Sequence, residues 1–254
     1  MKQNLKNNVI GLDDEFNYRG QNQSRVETLS DAVFALAITL LVLSSTVPET
    51  FGQLWVSMSD IIPFALSITL IMVIWYRHTV FFLKYGLQDR FSILLNTILL
   101  FLVLVYVYPL KFLTRLLVQI YGKLFGVVST DLSAFGDYTQ ENMQLLMVYY
   151  GLGASLIFFT LWMMYRHALA LSERLKLSPY EKFDTRISMH ANLLLGSVPL
   201  LSALIAWIDP FSNYITFVVA GFLYFIYIPV MTIFGIRARK KKKKLKKTGS
   251  EKAL

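Results

Sequence analysis

A few polar side chains set inside long apolar runs carry the chemistry this chain can do. Asp31 opens a run that stays largely apolar to Val47. Trp75 and His78 lie in a second run, and Asn96 in a third. A polar or ionisable group in an apolar medium is costly and finds a partner. A carboxylate and an imidazole at similar depth can relay a proton, or can hold two helices together by hydrogen bonds. Trp75 and His78 share one helical face, because residues three apart are neighbours on a helix. The second run ends on the side where the first begins, which brings His78 and Asp31 to similar depth. Arg25 precedes Asp31 by six residues, near the interface. A network of Arg25, Ser30, Asp31, Trp75 and His78 tying the first helix to the second is therefore geometrically reasonable. Plainer readings stay open. Thr28-x-x-Asp31 matches a capping box, and Ser30 is itself a cap candidate. An acidic residue near a helix N-terminus is favoured by the macrodipole. Arg77 and His78 suit an interface anchor, with Trp75 in the aromatic belt.

On a helical wheel at about 100° per residue, the first run splits into two faces. Leu29, Leu36, Leu40 and Leu43 form one stripe with Thr39 at its edge, and Asp31 points almost the opposite way. The pattern suggests a helix that lines something on one side and is held in place on the other. Lipid contact or bundle core also accounts for a leucine stripe.

No catalytic set accompanies these residues. The three histidines, His78, His167 and His190, form no H-E-x-x-H pair, and no G-x-S-x-G stretch or glycine-rich phosphate loop occurs. The absence of cysteine excludes disulfides, thiolate-bound zinc and thiol catalysis. A T-V-G-Y-G ion filter is also absent. The expectation is a protein that is not an enzyme and needs neither cofactor nor resident metal.

The elements that must position these residues follow from composition. Hydrophobic residues make up 55% of the 254 positions, in blocks of membrane length, so an all-α integral membrane protein is expected. Six spans can be counted: about Glu27–Val47, Asp60–Leu83, Phe91–Pro109, Leu145–Tyr165, Ile187–Ile208 and Tyr214–Ile236. The third span can continue as an amphipathic helix to Leu124, and a basic, helical-looking segment covers Arg166 to Lys182. Pro48-Glu49-Thr50 reads as a short turn, and Pro229 as a kink in the last span.

Lys and Arg cluster on one side of these spans, so the positive-inside rule puts both termini in the cytoplasm. Lys111, Arg115 and Lys123 fall on the other side, where long side chains on a helical extension can snorkel. The domain reading is a cytoplasmic tail over 1–24 without a cleavable signal pattern, a membrane domain over 25–236 and a basic cytoplasmic tail over 237–254. The net charge of +9 is concentrated in that last tail, in Arg237, Arg239, Lys240 to Lys244, Lys246 and Lys247. Without interleaved aromatics, the tail suits anionic lipid headgroups rather than nucleic acid.

Arg25-x-x-x-Leu29-Ser30-Asp31, opening the first span, resembles the R-x-x-x-F-S-D signature of the endosomal and lysosomal potassium channels and their bacterial homologues. Trp75-x-x-His78 and Asn96 fit the same family, as do six spans with cytoplasmic termini. Leu29 stands where the family signature has phenylalanine. Animal members carry two six-helix units; a single unit, as here, is the form that assembles as a homotetramer in bacteria.

The resemblance implies a potassium-permeable cation channel in the plasma membrane, with four copies of the first helix around the pore. By position it assigns the innermost constriction to Leu36, with Leu40 and Leu43 further out, and a selectivity role to Thr39. It assigns the supporting network to Arg25, Ser30, Asp31, Trp75, His78 and Asn96. Two alternatives compete. One is a secondary transporter, proton-coupled through Asp31 and His78. The other is a membrane scaffold acting through its basic tail. Charged residues that stay near the ends of the spans favour the pore.

Overall fold

The computed structural model describes residue 13 and residues 15–43, 48–124, 140–210 and 214–251. The described residues are almost wholly helical: α1 (Arg25–Leu43), α2 (Phe51–Ser59), α3 (Ile61–Tyr85), α4 (Arg90–Leu124), α5 (Gln140–Ala170), α6 (Pro179–Ile208), α7 (Tyr214–Phe222), a 3₁₀ turn (Leu223–Ile226) and α8 (Tyr227–Glu251). Among the described residues, six stretches are long and apolar enough to cross a membrane: α1, α3, α6, parts of α4 and of α5, and a last one running from Val219 to Lys242.

Local signals explain where these helices start and break. Ser24 and Glu27 form a capping box at the start of α1: the Glu27 carboxylate accepts from the Ser24 amide at 2.8 Å, and the Ser24 hydroxyl accepts from the Glu27 amide at 3.2 Å. This corrects the Thr28-x-x-Asp31 reading, which lies one turn further on. Asp31 lies almost two turns inside the helix and is free to bond sideways.

The turn expected at residues 48–50 leads into an extra short helix, α2, whose amide at Gln53 donates to the Thr50 hydroxyl at 3.3 Å. A single residue, Asp60, separates α2 from α3. Pro63 lacks the amide that would have bonded the Ser59 carbonyl, which is where the break falls. The 3₁₀ turn ahead of α8 has the same origin. Pro229 cannot donate to the Phe225 carbonyl and its ring crowds that oxygen, so the last span tightens over Leu223–Ile226.

Helix α4 runs unbroken to Leu124 through Pro109. At about 1.5 Å per residue its 35 residues are too long for a hydrocarbon core of about 30 Å, so it projects beyond the membrane. On that projection Arg115 grips Asp60 with two bonds, one of them Nε to Oδ1 at 2.8 Å. Arg115 thus locks α4 to the start of α3 instead of snorkelling. The basic stretch from Arg166 to Lys182 is split: α5 ends at Ala170, a series of turns follows, and α6 starts at Pro179 behind a Ser178–Glu181 capping box. The tail beyond Ile236 is continuous with α8 as helix to Glu251, so no break marks residue 237.

Helices α5 and α6 form the most extensive pair. A methyl group at Gly151 would sit 2.5 Å from the Pro199 carbonyl oxygen, so only glycine permits this approach. Helix α1 packs against α3 and α4 through Phe34, Ala37 and Leu41, which are buried in the main core with Ile71, Phe82 and Leu99.

Candidate functional site

Two branches of hydrogen bonds fasten α1 to the body of the subunit. In the first, Asp31 accepts from the Trp75 indole Nε1 at 2.9 Å and from Gln23 Nε2 at 2.8 Å. In the second, Ser30 is fully buried and donates to the Val26 carbonyl at 2.8 Å. Its hydroxyl accepts from Asn96 Nδ2 at 3.0 Å, and Asn96 Oδ1 lies 2.7 Å from His78 Nε2. With the proton on Nε2 of His78, the bonds run in one direction, each group donating to the next, from His78 through Asn96 and Ser30 to the backbone. His78 Nδ1 has no hydrogen-bond partner among the described residues, and its ring packs against Phe34 and Phe82 at 5.6 and 4.7 Å between centroids.

Asp31 and Trp75 therefore meet, and so do Ser30, Asn96 and His78. The two branches leave α1 from adjacent residues and reach α3 at positions three apart, so together they fix both the rotation and the height of α1. Arg25 stands outside: it is exposed and has no hydrogen bond or ion pair among the described residues. Gln23 was invisible to sequence reasoning, since it lies in an Asn- and Gln-rich stretch with no helical periodicity to flag it.

The opposite face of α1 carries the leucines. Leu36 is 49% exposed, Leu43 71% and Leu29 61%, while Leu41 and Ala37 are fully buried. Leu40 is half-buried, packed against the core, because it sits on the flank of the stripe beside the neighbouring helices. Thr39 is exposed, with its hydroxyl donating to the Ala35 carbonyl at 2.9 Å, which leaves lone pairs facing outward. Residues 29, 32, 36, 39 and 43 are all exposed and are spaced alternately three and four apart. That is the seam spacing by which helices pack around a common axis. Ala32 and Thr39, being small, let such helices approach closely.

Comparison with known proteins follows the same residues. The family model described as the endosomal/lysosomal potassium channel TMEM175 matches residues 25–107, which hold the leucine stripe and, apart from Gln23, both branches of the network. A potassium channel of Marivirga tractuosa is 60% identical over 237 residues, covering 93% of this chain and 96% of its own length. A potassium channel of Streptomyces collinus is 34% identical over 99 residues, 37% of this chain and 48% of its own. Among solved structures, a crystal structure of a variant of the potassium channel MtTMEM175, in complex with a nanobody–MBP fusion, aligns with a TM-score of 0.84. That match has 59% identity and covers 91% of this chain and all of the other. A lysosomal potassium-selective channel TMEM175 homologue from Chamaesiphon minutus, at 22% identity and TM-score 0.52 over 84% of this chain and 96% of its own, shares the fold.

Proposed function

Since the chain belongs to the TMEM175 family of potassium channels, which are not enzymes, we propose that it forms a homotetrameric, potassium-permeable channel whose pore is lined by four copies of α1. The observation that carries this reading is the seam on α1. Leu29, Leu36 and Leu43 point away from the subunit core, while the opposite face is fastened down by two hydrogen-bonded branches. A single subunit does not enclose a pore, and cyclic symmetry about the α1 seam supplies the ring. Leu36 and Leu43 form the apolar neck, Leu40 borders it from the flank, and Thr39 is the hydroxyl available to a passing cation. A narrow ring of leucines sheds water, and an ion stripped of its shell meets a barrier there. The neck thereby gates without a carbonyl filter.

The network argues against the proton-coupled alternative. Asp31 bonds an indole N–H, which donates but does not relay, and His78 bonds an amide in the other branch. The two titratable groups are not joined by a hydrogen bond. The distribution of Lys and Arg supports an orientation with both termini in the cytoplasm, in the cell membrane. There the segment up to residue 24 and the basic helix beyond Ile236 form the cytoplasmic parts, the latter beside anionic headgroups.

Flux into liposomes tests the reading. Purified protein is expected to pass K⁺ faster than Na⁺, without saturation at moderate concentrations and without a proton gradient, and to run as a tetramer by native mass. Flux that saturates and tracks a proton gradient would favour a transporter, and no flux from an intact tetramer would favour a scaffold.

A further inference from the structure

The ten residues before α1 are docked rather than trailing. Phe16 is buried between Tyr18 and Tyr85, with the Lys84 ammonium 5.0 Å from its ring centroid. Arg19 and Gly20 continue the contact through their amides, which donate to the carbonyls of Lys84 and Leu83 at 3.3 and 3.1 Å. Gly86 makes room for this crossing. It closes α3 in the left-handed region at φ 57°, and an added Cβ would come within 3.1 Å of the Arg19 backbone.

The Arg19 side chain is held from two directions. Its guanidinium donates to both oxygens of Glu181 at 3.0 and 3.1 Å, and Nε donates to the Leu175 carbonyl at 2.8 Å. Glu181 also accepts from the amides of Asn17 at 2.9 Å and Ser178 at 2.7 Å, so this fully buried carboxylate takes four hydrogen bonds. One turn on, Asp184 bonds Lys84 at 2.5 Å and also pairs with Lys242 of α8. The end of α3, the interior of α8 and the segment before α1 are thus gathered around two buried carboxylates at the start of α6.

The peptide from Arg19 to Ser24 passes directly into the capping box of α1, and Gln23 on it reaches Asp31. We propose that residues 16–23 are a latch that positions the pore helix, with Phe16 as its plug and the Arg19–Glu181 pair as its catch. The inference rests on α1 lining the pore. While the latch is docked, α1 is held at the rotation that presents Leu36 to the axis. Its release lets α1 move enough to spread the Leu36 ring, so that the neck wets more often while Leu36 still lines it. Arg19, Glu181 and Phe16 act through α1 and touch no ion; they are positioning residues.

Single-channel recording on the full tetramer, paired with hydrogen exchange, tests the latch. Arg19→Ala and Phe16→Ala are each expected to raise the open-to-closed ratio about tenfold, the scale of a bias of about 1.4 kcal/mol on a two-state equilibrium. Unitary conductance and K⁺ preference stay at wild-type values, and exchange quickens at the amides of Asn17 and Gly20. Arg19→Lys keeps the charge without the bidentate fork and restores the ratio in part. Faster exchange with an unchanged open-to-closed ratio overturns the latch, as does a change in unitary conductance in its place. A wild-type protein that carries no current removes the pore reading and the latch together; a conducting wild type with unaltered variants removes the latch alone.

Discussion

Leu36→Ala raises the unitary conductance several-fold and weakens the preference for K⁺ over Na⁺. In the proposed tetramer the substitution acts four times at one level of the pore, removing most of each side chain from the ring. A wider, shorter-walled neck stays wet, and a barrier lowered by about 1.4 kcal/mol is tenfold in rate. Fold stability changes little, because half of the Leu36 side-chain surface lies outside the subunit core. Leu41→Ala is the matched control. That leucine is fully buried on the opposite face, and its truncation costs about 2–5 kcal/mol by the cavity it leaves, without altering the conductance of channels that remain assembled. Single-channel recording in planar bilayers, with thermal melting in detergent, separates the two. Equal effects of the two substitutions on conductance would count against the assigned face.

Asn96→Ala has the largest expected effect among changes to the two hydrogen-bonded branches. Asn96 is the only bridge, among the described residues, between the Ser30 hydroxyl and His78, and it is buried. Its removal leaves His78 without a partner at either ring nitrogen, since Nδ1 already has none among the described residues. Leaving a buried polar group unpaired costs about 1–3 kcal/mol. The other branch gives a graded series. Asp31→Ala strands the Trp75 indole N–H, whereas Asp31→Asn keeps an acceptor and loses only the charge. The expected order of melting temperature is wild type, then Asp31→Asn, then Asp31→Ala, with Asn96→Ala at or below the last. Tetramer yield falls in the same order, while the reversal potential of surviving channels holds. A reversal potential that moves with Asp31 at constant stability would put the carboxylate in the ion path and not behind it.

What the sequence made legible was local. The break in the last span at Pro229 and the separation of leucines from Asp31 on α1 follow from stereochemistry within a turn or two of chain. The Thr28-x-x-Asp31 capping reading stood open because Ser24-x-x-Glu27 and Thr28-x-x-Asp31 follow one another directly, and the choice between them is made by tertiary contacts: Gly20 and Arg19 lie on the end of α3, which fixes where the chain turns into the helix. Helix α2 was missed because Phe51-Gly-Gln-Leu-Trp mixes a glycine and apolar residues without a clear period.

Pairings across the chain left no mark that one sequence can reveal. Asp60 finds Arg115 and Arg19 finds Glu181 at separations of 55 and 162 residues, so an expected snorkelling arginine became an ion pair and a nominal tail became a docked segment. The wheel placed Leu40 with Leu36 and Leu43, but the packing of α1 against its neighbours half-covers Leu40 and leaves the other two exposed. For Arg25 the network reading assumed a partner that is not found among the described residues.

The chain contains no cysteine, so a single Leu36→Cys substitution gives one thiol per subunit, against a silent background. K⁺ flux through that variant in liposomes, before and after a charged methanethiosulfonate reagent, tests most directly whether α1 lines the pore. The account predicts that modification stops most of the flux, that K⁺ slows the labelling, and that mild oxidation links neighbouring subunits. Complete labelling with flux unchanged would contradict it, and would place Leu36 against lipid instead of ions.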